Sequence, residues 1–202
     1  MNLSLLFVRP YNKRFDWDGL LIIFGIEVGI LTALSILKRI VNRRVGRETT
    51  ARYLGIFGIL ILTVYIALVL SQTWFLSSRN DVRQISLDLF WSYRTAMERE
   101  TGLQIENSRI LEQICLNILM FIPFGYLLAE TFRCFAEKPW KVVIAGCLFS
   151  IVIEVGQYIL HVGLCELDDV FNNTVGCVLG LLIWNIMKRA SDRIVLSRQG
   201  PV

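Results

Sequence analysis

The sequence has little of the chemistry on which soluble catalytic domains rely. It has a single histidine, His161, and only four prolines in 202 residues. No phosphate-binding glycine loop, nucleophile elbow or HExxH pair occurs in it. The cysteines form no CxxC pair and no metal-ligand spacing, so we interpret them as small apolar fillers. These absences predict a protein without a metal or other cofactor. The five cysteines are Cys115, Cys134, Cys147, Cys165 and Cys177.

Charge and targeting signals are also sparse. The formal net charge is only +4, which favours no nucleic-acid partner. No cleavable signal peptide is evident, because the apolar patch Leu3–Val8 is short and runs into Arg9-Pro10. What the chain has instead is apolar residues, which make up 54% of the sequence. That composition predicts an integral membrane protein, targeted by its first spanning helix.

Apolar runs of spanning length define the predicted architecture. A helix needs about 20 apolar residues to cross a bilayer. Five runs approach that length, and they predict an all-α integral membrane protein with a bundle of five transmembrane helices. The runs are Leu20–Leu37, Tyr53–Leu70, Ile114–Ala129, Val142–Leu160 and Val170–Met187.

The runs divide the chain into three parts. Residues 1–52 are predicted to hold an N-terminal interfacial segment, the first transmembrane helix and a basic loop. Residues 53–187 are predicted to form a four-helix membrane domain. Residues 188–202 would be a basic tail.

Basic loops set the predicted orientation in the membrane. The loop between the first two runs is the most basic, so the positive-inside rule places it in the cytoplasm. With five spans the N-terminus then lies outside and the C-terminus is cytoplasmic. The hairpin His161–Asp169 would lie outside, and it has three acids and no Lys or Arg. Arg9, Lys13 and Arg14 would also lie outside, against the rule. We therefore predict a multi-pass protein of the cell membrane with an acidic outer hairpin.

Polar residues form one stripe on each of the last two predicted helices. Ser150, Glu154, Gln157 and His161 follow the spacing i, i+4, i+7, i+11, and the same spacing recurs at Asp169, Asn173, Gly176 and Gly180. Polar groups are costly inside a membrane, so both stripes should face protein or water. The hairpin joins the stripes at the predicted outer end. We expect a cavity there, open to the outer leaflet or to the external face.

The acids in these stripes each have a functional and a structural interpretation. Glu154 could carry chemistry or charge, or it could hydrogen-bond a neighbouring helix. Asp168 and Asp169 begin a helix, where an acid caps exposed N–H groups, so one of the two should cap and leave the other for function. A metal site could be assembled from Glu154, His161 and Asp169, but their spacing is not diagnostic of metal binding.

Neutral and basic residues complete the candidate site. Asn117 and Asn173 could serve the site or hydrogen-bond between helices. The pair Gly176 and Gly180 predicts close helix packing. Arg94, in an amphipathic interfacial piece, is the best positive partner for the outer acids, with interfacial anchoring as the alternative.

Three motifs, in this order, resemble the VanZ-like family. They are Asn117-Ile-Leu-Met-Phe-Ile-Pro-Phe-Gly125, Ser150-x-x-x-Glu154-x-x-Gln157 and Glu166-Leu-Asp-Asp169-Val-Phe-Asn-Asn173-Thr-Val-Gly176. The resemblance covers roughly residues 53–187, so the first span is an addition. It implies that the polar positions of the family fall on Asn117, Glu154, Gln157, Asp169 and Asn173.

The chain departs from the family pattern at two places. Ile85–Tyr93 resembles a re-entrant or interfacial segment of the family, with Asp88 and Leu89 where the family has an apolar residue and proline. The hairpin has Leu164-Cys165-Glu166 where some members carry an arginine. If an arginine takes part in the mechanism, it would have to be Arg94 or Arg109.

The resemblance also implies a function. The family is named for a protein that confers low-level teicoplanin resistance on Gram-positive bacteria. We expect an envelope protein that lowers the action of lipoglycopeptides by binding the antibiotic or a cell-wall lipid, with membrane lipid as a partner. The expected outward-facing pocket consists of Arg94, Asn117, Glu154, Gln157, Asp168, Asp169 and Asn173.

Two alternatives come from other functional classes. One is an enzyme that modifies an envelope lipid, with Glu154 or Asp169 as general base. The other is a small proton-coupled carrier, with Glu27 and Glu154 as proton sites. Turnover of a lipid extract would distinguish the first, and a polar path to the cytoplasm the second.

Overall fold

The computed structural model describes residues 29, 47–75, 83–97 and 104–197. The first predicted span, with Glu27, lies outside the described residues except for Gly29. The described elements in chain order are helix α1 (Arg47–Leu70), which continues in a π-helical turn (Ser71–Phe75), β1 (Ile85–Ser86), α2 (Trp91–Met97), α3 (Gln104–Thr131), α4 (Arg133–Glu137), α5 (Pro139–Leu160), β2 (Cys165–Glu166) and α6 (Leu167–Ser197).

Four helices in the described part of the chain are long and apolar enough to cross a membrane. Each contains one of the last four predicted spans almost entirely, so the all-α, multi-pass membrane architecture is confirmed. The described ranges do not include the first of the five predicted helices, apart from Gly29. The four spanning segments are Gly55–Phe75, Ile110–Thr131, Pro139–Leu160 and Leu167–Ala190.

The lipid-facing surface explains why the chain is so apolar. Many of the large apolar side chains on α1, α5 and α6 are exposed, which in water would be an aggregation hazard but in a bilayer meets hydrocarbon. Examples are Leu60, Val64, Leu148, Val152 and Ile186.

Helices α3 and α6 pack against each other without intervening side chains. A Cβ atom added to Gly176 would collide with the carbonyl of Ile118, and one added to Gly180 would collide with the carbonyl of Ile122. Two glycines four residues apart therefore let the α6 backbone lie directly on α3. The close packing predicted from the GxxxG spacing is confirmed.

The centre of the bundle is aromatic and tolerates an internal proline. Phe121 is fully buried, and the rings of Phe124 and Phe149 stack with centroids 4.8 Å apart. Helix α3 continues through Pro123, which cannot donate a backbone hydrogen bond. One turn earlier the Met120 carbonyl accepts a hydrogen bond from the Tyr65 hydroxyl. A neighbouring span thus supplies a donor close to the proline.

Residues 83–97, which we call the docked segment, are attached to the hairpin by a short parallel strand pair. Strand β1 lies beside β2, with Ile85 opposite Cys165 and Ser86 opposite Glu166. The Cys165 N–H donates to the Gln84 carbonyl at 3.1 Å. This contact brings the segment resembling the family's re-entrant or interfacial piece to the end of the bundle where the acids lie.

Candidate functional site

Asp168 holds the docked segment in place. Its fully buried carboxylate accepts hydrogen bonds from the N–H groups of Phe90 and Ser92 and from the Ser92 hydroxyl. The sequence predicted that one of the two acids would cap its own helix. Asp168 lies in the first turn of α6, yet it accepts hydrogen bonds from the backbone at the start of α2. Asp168 therefore joins α6 to the docked segment, which lies far from it in the sequence.

One of the residues that donates to Asp168, Phe90, has a strained backbone conformation. Phe90 has a φ of 66°, in the left-handed region that a bulky residue rarely adopts. Such a conformation costs of order 1–3 kcal/mol and persists only where the surroundings fix it. The Phe90 ring meets the Phe171 ring edge-on, with centroids 5.2 Å apart. This ring contact and the Asp168 hydrogen bonds offset the strain.

Tyr93 and Asn172 form a second tie between the docked segment and α6. The Tyr93 hydroxyl donates to the Asn172 side-chain carbonyl. Burial, and then the nearby Asp168 carboxylate, raise the pKa of Tyr93, so its phenol stays protonated and remains a donor. Neither residue belongs to the predicted set. Tyr93 lies in the segment flagged by the resemblance, which was the available signal.

Glu154 contacts the hairpin rather than open water. It is only 4% exposed, and its Oε2 accepts a hydrogen bond from the Glu166 N–H at 2.8 Å. One turn further along α5, the Gln157 carbonyl accepts from the N–H groups that follow the helix end, and His161 there takes a left-handed conformation. The Glu154 side chain and the Gln157 backbone carbonyl therefore both hold the hairpin.

Glu166 is a buried acid that the sequence reasoning missed. It is 4% exposed, accepts from the Gln113 side-chain amide at 3.3 Å, and interacts electrostatically with the Asp169 side chain. Burial, then the neighbouring Asp169 and Glu154, raise the pKa of Glu166 to about 9. Glu166 therefore keeps its proton to a higher pH than an exposed glutamate does. The acidic hairpin is predicted to lie outside the membrane, so a buried acid was not expected there.

Asp169 interacts with side chains on more than one element. Its carboxylate interacts with the side-chain amides of Gln113 and Asn117 on α3, as well as with Glu166. The Asn117 amide nitrogen is buried without a hydrogen bond of good geometry to any residue that the structure describes. Glu154 and Asp169 are also close enough to interact electrostatically. The structure therefore gathers four acids from α5, the hairpin and α6.

Asn173 lies one turn deeper, in the seam between α5 and α6. Its amide nitrogen donates to the Ser150 hydroxyl at 2.8 Å, and both residues are buried. Its Oδ1, like the Oε1 of Gln157, has no partner in the described part of the chain. The Ser150–Asn173 contact fits the structural alternative, a hydrogen bond between helices.

Arg94 forms an ion pair that the spacing of the sequence did not predict. Its guanidinium forms an ion pair with Asp88 and donates to the Leu89 carbonyl at 3.3 Å, all within the docked segment. The two side chains are 56% and 68% exposed, and an ion pair exposed to this extent contributes little to stability. The sequence missed this pair because residues six apart meet only when a turn brings them together.

Most of the residues predicted to line a polar cavity contact protein groups in the part of the chain that the structure describes. A cavity of about 320 Å³ lies beside α5 and α6, but its lining contains none of the predicted residues. Buried acids hydrogen-bond the docked segment, the hairpin and α3. Protein groups therefore supply many of the hydrogen bonds that water was expected to supply. The cavity is lined by Leu89, Cys147, Leu167, Val170, Phe171 and Thr174.

The described residues offer little to a metal ion. Across residues 47–75, 83–97 and 104–197, no group of three His, Cys, Asp or Glu side chains could hold one. The Nε2 atom of His161 accepts a hydrogen bond from Arg83 at 2.9 Å. His161 therefore ties the docked segment to the hairpin.

Comparisons with known proteins match the same region of the chain. A family model described as VanZ/LLP1 matches residues 56–188. The protein named Protein VanZ from Enterococcus faecium is 32% identical over 82 residues, which cover 41% of this chain and 50% of that protein. The chain therefore spans half the length of this curated relative. No solved structure matches the chain.

Proposed function

The chain belongs to the VanZ/LLP1 family, and on that premise we propose that it lowers the susceptibility of the cell to teicoplanin and related lipoglycopeptides. The proposed site is the end of the bundle that holds the hairpin, facing outward. Its proposed ligand is the antibiotic or a cell-wall lipid. Binding there would reduce the amount of antibiotic that reaches its target.

One observation carries this proposal. The family-matched acids Glu154 and Asp169 gather with Asp168 at one end of the bundle, where Asp168 fixes the docked segment through a buried carboxylate. Burying several carboxylates costs stability, and such groups concentrate at functional sites. The charge of the loops favours placing this end outside the cell. A lipid-linked ligand would reach it from the outer leaflet.

The closeness of Glu166 and Asp169 favours a second candidate, an enzyme that modifies an envelope lipid. The two carboxyl groups interact electrostatically, and burial raises the pKa of Glu166. Neighbouring carboxyl groups with different pKa values can act as general acid and general base. This candidate requires a changed lipid. The carrier alternative needs Glu27, which lies outside the described residues, and no contact among the residues that the structure describes favours it.

Expression in a teicoplanin-susceptible Gram-positive host tests the proposal. Growth inhibition should require more teicoplanin in cells with the chain than in cells with an empty vector, at a measured level of inserted protein. A glycopeptide without an acyl chain is the comparison, and its inhibitory concentration should change less. Unchanged teicoplanin susceptibility with inserted protein present would contradict the proposal. A new lipid species that disappears in Asp169→Asn would instead support the enzyme.

A further inference from the structure

The cavity beside α5 and α6 has the size of a small-molecule site. Its volume of about 320 Å³ lies within the roughly 300–1,000 Å³ that such sites occupy. Leu89 of the docked segment forms one wall, and Cys147 of α5 another. The remaining lining comes from the first turns of α6. The docked segment therefore does more than cover the acids, because it completes a recess next to them.

The lining offers almost no hydrogen bonds to a ligand. The one hydroxyl, that of Thr174, already donates to the Val170 carbonyl at 2.7 Å. Leu89, Leu167 and Phe171 contribute hydrocarbon, and the Cys147 thiol is a weak donor. A polar ligand would lose its hydration here without compensation. The cavity therefore suits an apolar occupant.

The position of the cavity indicates where such an occupant comes from. Thr174 lies seven residues into α6, roughly 10 Å along its axis at 1.5 Å per residue. This part of α6 belongs to a spanning segment, and Phe171 and the neighbouring Leu148 of α5 are exposed. Hydrocarbon of the bilayer surrounds such a surface. An acyl chain can enter sideways without crossing water.

A cation lies at the edge of the same recess. Arg94 donates to the carbonyl of Leu89, the residue that forms the wall, and pairs with Asp88. The planar guanidinium matches phosphate oxygens.

We propose that this cavity binds one acyl chain of a phospholipid from the surrounding membrane, with Arg94 contacting the lipid phosphate. This deepens the proposed function, and it rests on it only in placing the recess in the outer leaflet. A bound chain would fill the space between the docked segment and α5–α6. The acyl tail of a lipoglycopeptide would then compete with a resident lipid.

Lipid retention measures the binding directly. The full chain is purified from nanodiscs of phosphatidylglycerol and phosphatidylethanolamine, transferred to mild detergent, and analysed by native mass spectrometry. We expect one retained phospholipid per chain. Val170→Phe fills the cavity and should lower retention about tenfold. The matched control is Leu182→Phe, at an exposed position on the same helix, and it should retain lipid like the unmodified chain.

A second measurement keeps the test independent of the variants. A phospholipid with a diazirine in its acyl chain should crosslink to Val170 and Thr174 in the unmodified chain more than to Leu182. Equal retention in Val170→Phe and Leu182→Phe, or no preference in crosslinking, would overturn the proposal. Absence of a retained phospholipid in the unmodified chain would also overturn it. Retained lipid in a chain that confers no resistance would contradict the proposed function alone.

Discussion

The Asp168 carboxylate accepts a hydrogen bond from the backbone N–H of Ser92 at 3.0 Å, across 76 residues of sequence. Both residues are buried, and the same carboxylate also binds the Ser92 hydroxyl and the Phe90 N–H. This one side chain thus contributes three of the hydrogen bonds that hold the docked segment against α6.

Replacing Asp168 with alanine should release the docked segment. Hydrogen bonds to a charged group are worth roughly 1.5–3 kcal/mol each, so we expect Asp168→Ala to lower the free energy of unfolding by about 2 kcal/mol or more. Amide hydrogen exchange should accelerate across residues 85–97 in particular. Asp88→Ala is the control, because Asp88 is exposed. Equal exchange in the two variants would show that Asp168 does not hold the segment.

The α3–α6 contact should be intolerant of a single methyl group. In Gly176→Ala the new Cβ meets the Ile118 carbonyl, so the helices must separate, at a cost of about 1–3 kcal/mol. Gly55→Ala is the matched control, since nothing lies within 4 Å of a Cβ added there. Thermal unfolding in detergent should show a clear loss for the first variant and none for the second. A similar midpoint in both would refute the close packing.

The spans and the glycine contact were predictable because they depend on local patterns. Apolar runs and i, i+4 spacing fix which residues are helical and which share a face. The Asp168–Ser92 bond and the burial of Glu166 were not predictable, because both arise only when the docked segment and α3 meet the hairpin. The Arg94–Asp88 pair likewise depends on the turn before α2. The sequence located most of the polar residues of the candidate site but not the groups to which they hydrogen-bond.

Glu166 should make the protein less stable in alkali. Burial, then the neighbouring Asp169 and Glu154, raise its pKa from 4.5 to about 9, so the folded state holds a proton that the unfolded state releases. Its contribution is fully present below about pH 4.5 and is lost as the pH rises through about 9. Glu166→Gln cannot ionise, so its unfolding midpoint should fall less over this window.

The control for this pH series is Glu137→Gln. Glu137 is an exposed carboxyl that pairs with Arg133, and its removal should leave the pH profile of the unmodified chain. If Glu166→Gln and the unmodified chain lose stability in parallel between neutral and alkaline pH, then Glu166 is already ionised in the folded state.

Cysteine labelling on intact cells tests the predicted orientation. A membrane-impermeant thiol reagent should label Cys165 in the hairpin but not Cys134, in chains that keep only the cysteine under test. Burial, then the nearby acids, raise the pKa of Cys165 to about 11, so labelling should be slow and should rise about tenfold per pH unit. Cys134 is exposed and should react once the membrane is permeabilised. Labelling of Cys134 in intact cells would show that the orientation is the reverse of the predicted one.

Teicoplanin susceptibility of cells that express Glu154→Gln, normalised to the amount of inserted protein, tests the central claim most directly. The amide oxygen of Gln can still accept the hydrogen bond from the Glu166 N–H, so folding and protein level should be kept. Glu154→Leu cannot accept it and should reduce the amount of folded protein. If the acid acts through its charge or its proton, cells with Glu154→Gln should be as susceptible to teicoplanin as cells with the empty vector, at normal levels of inserted protein. Full resistance in Glu154→Gln would contradict this account and leave Glu154 as a hydrogen bond that holds the hairpin.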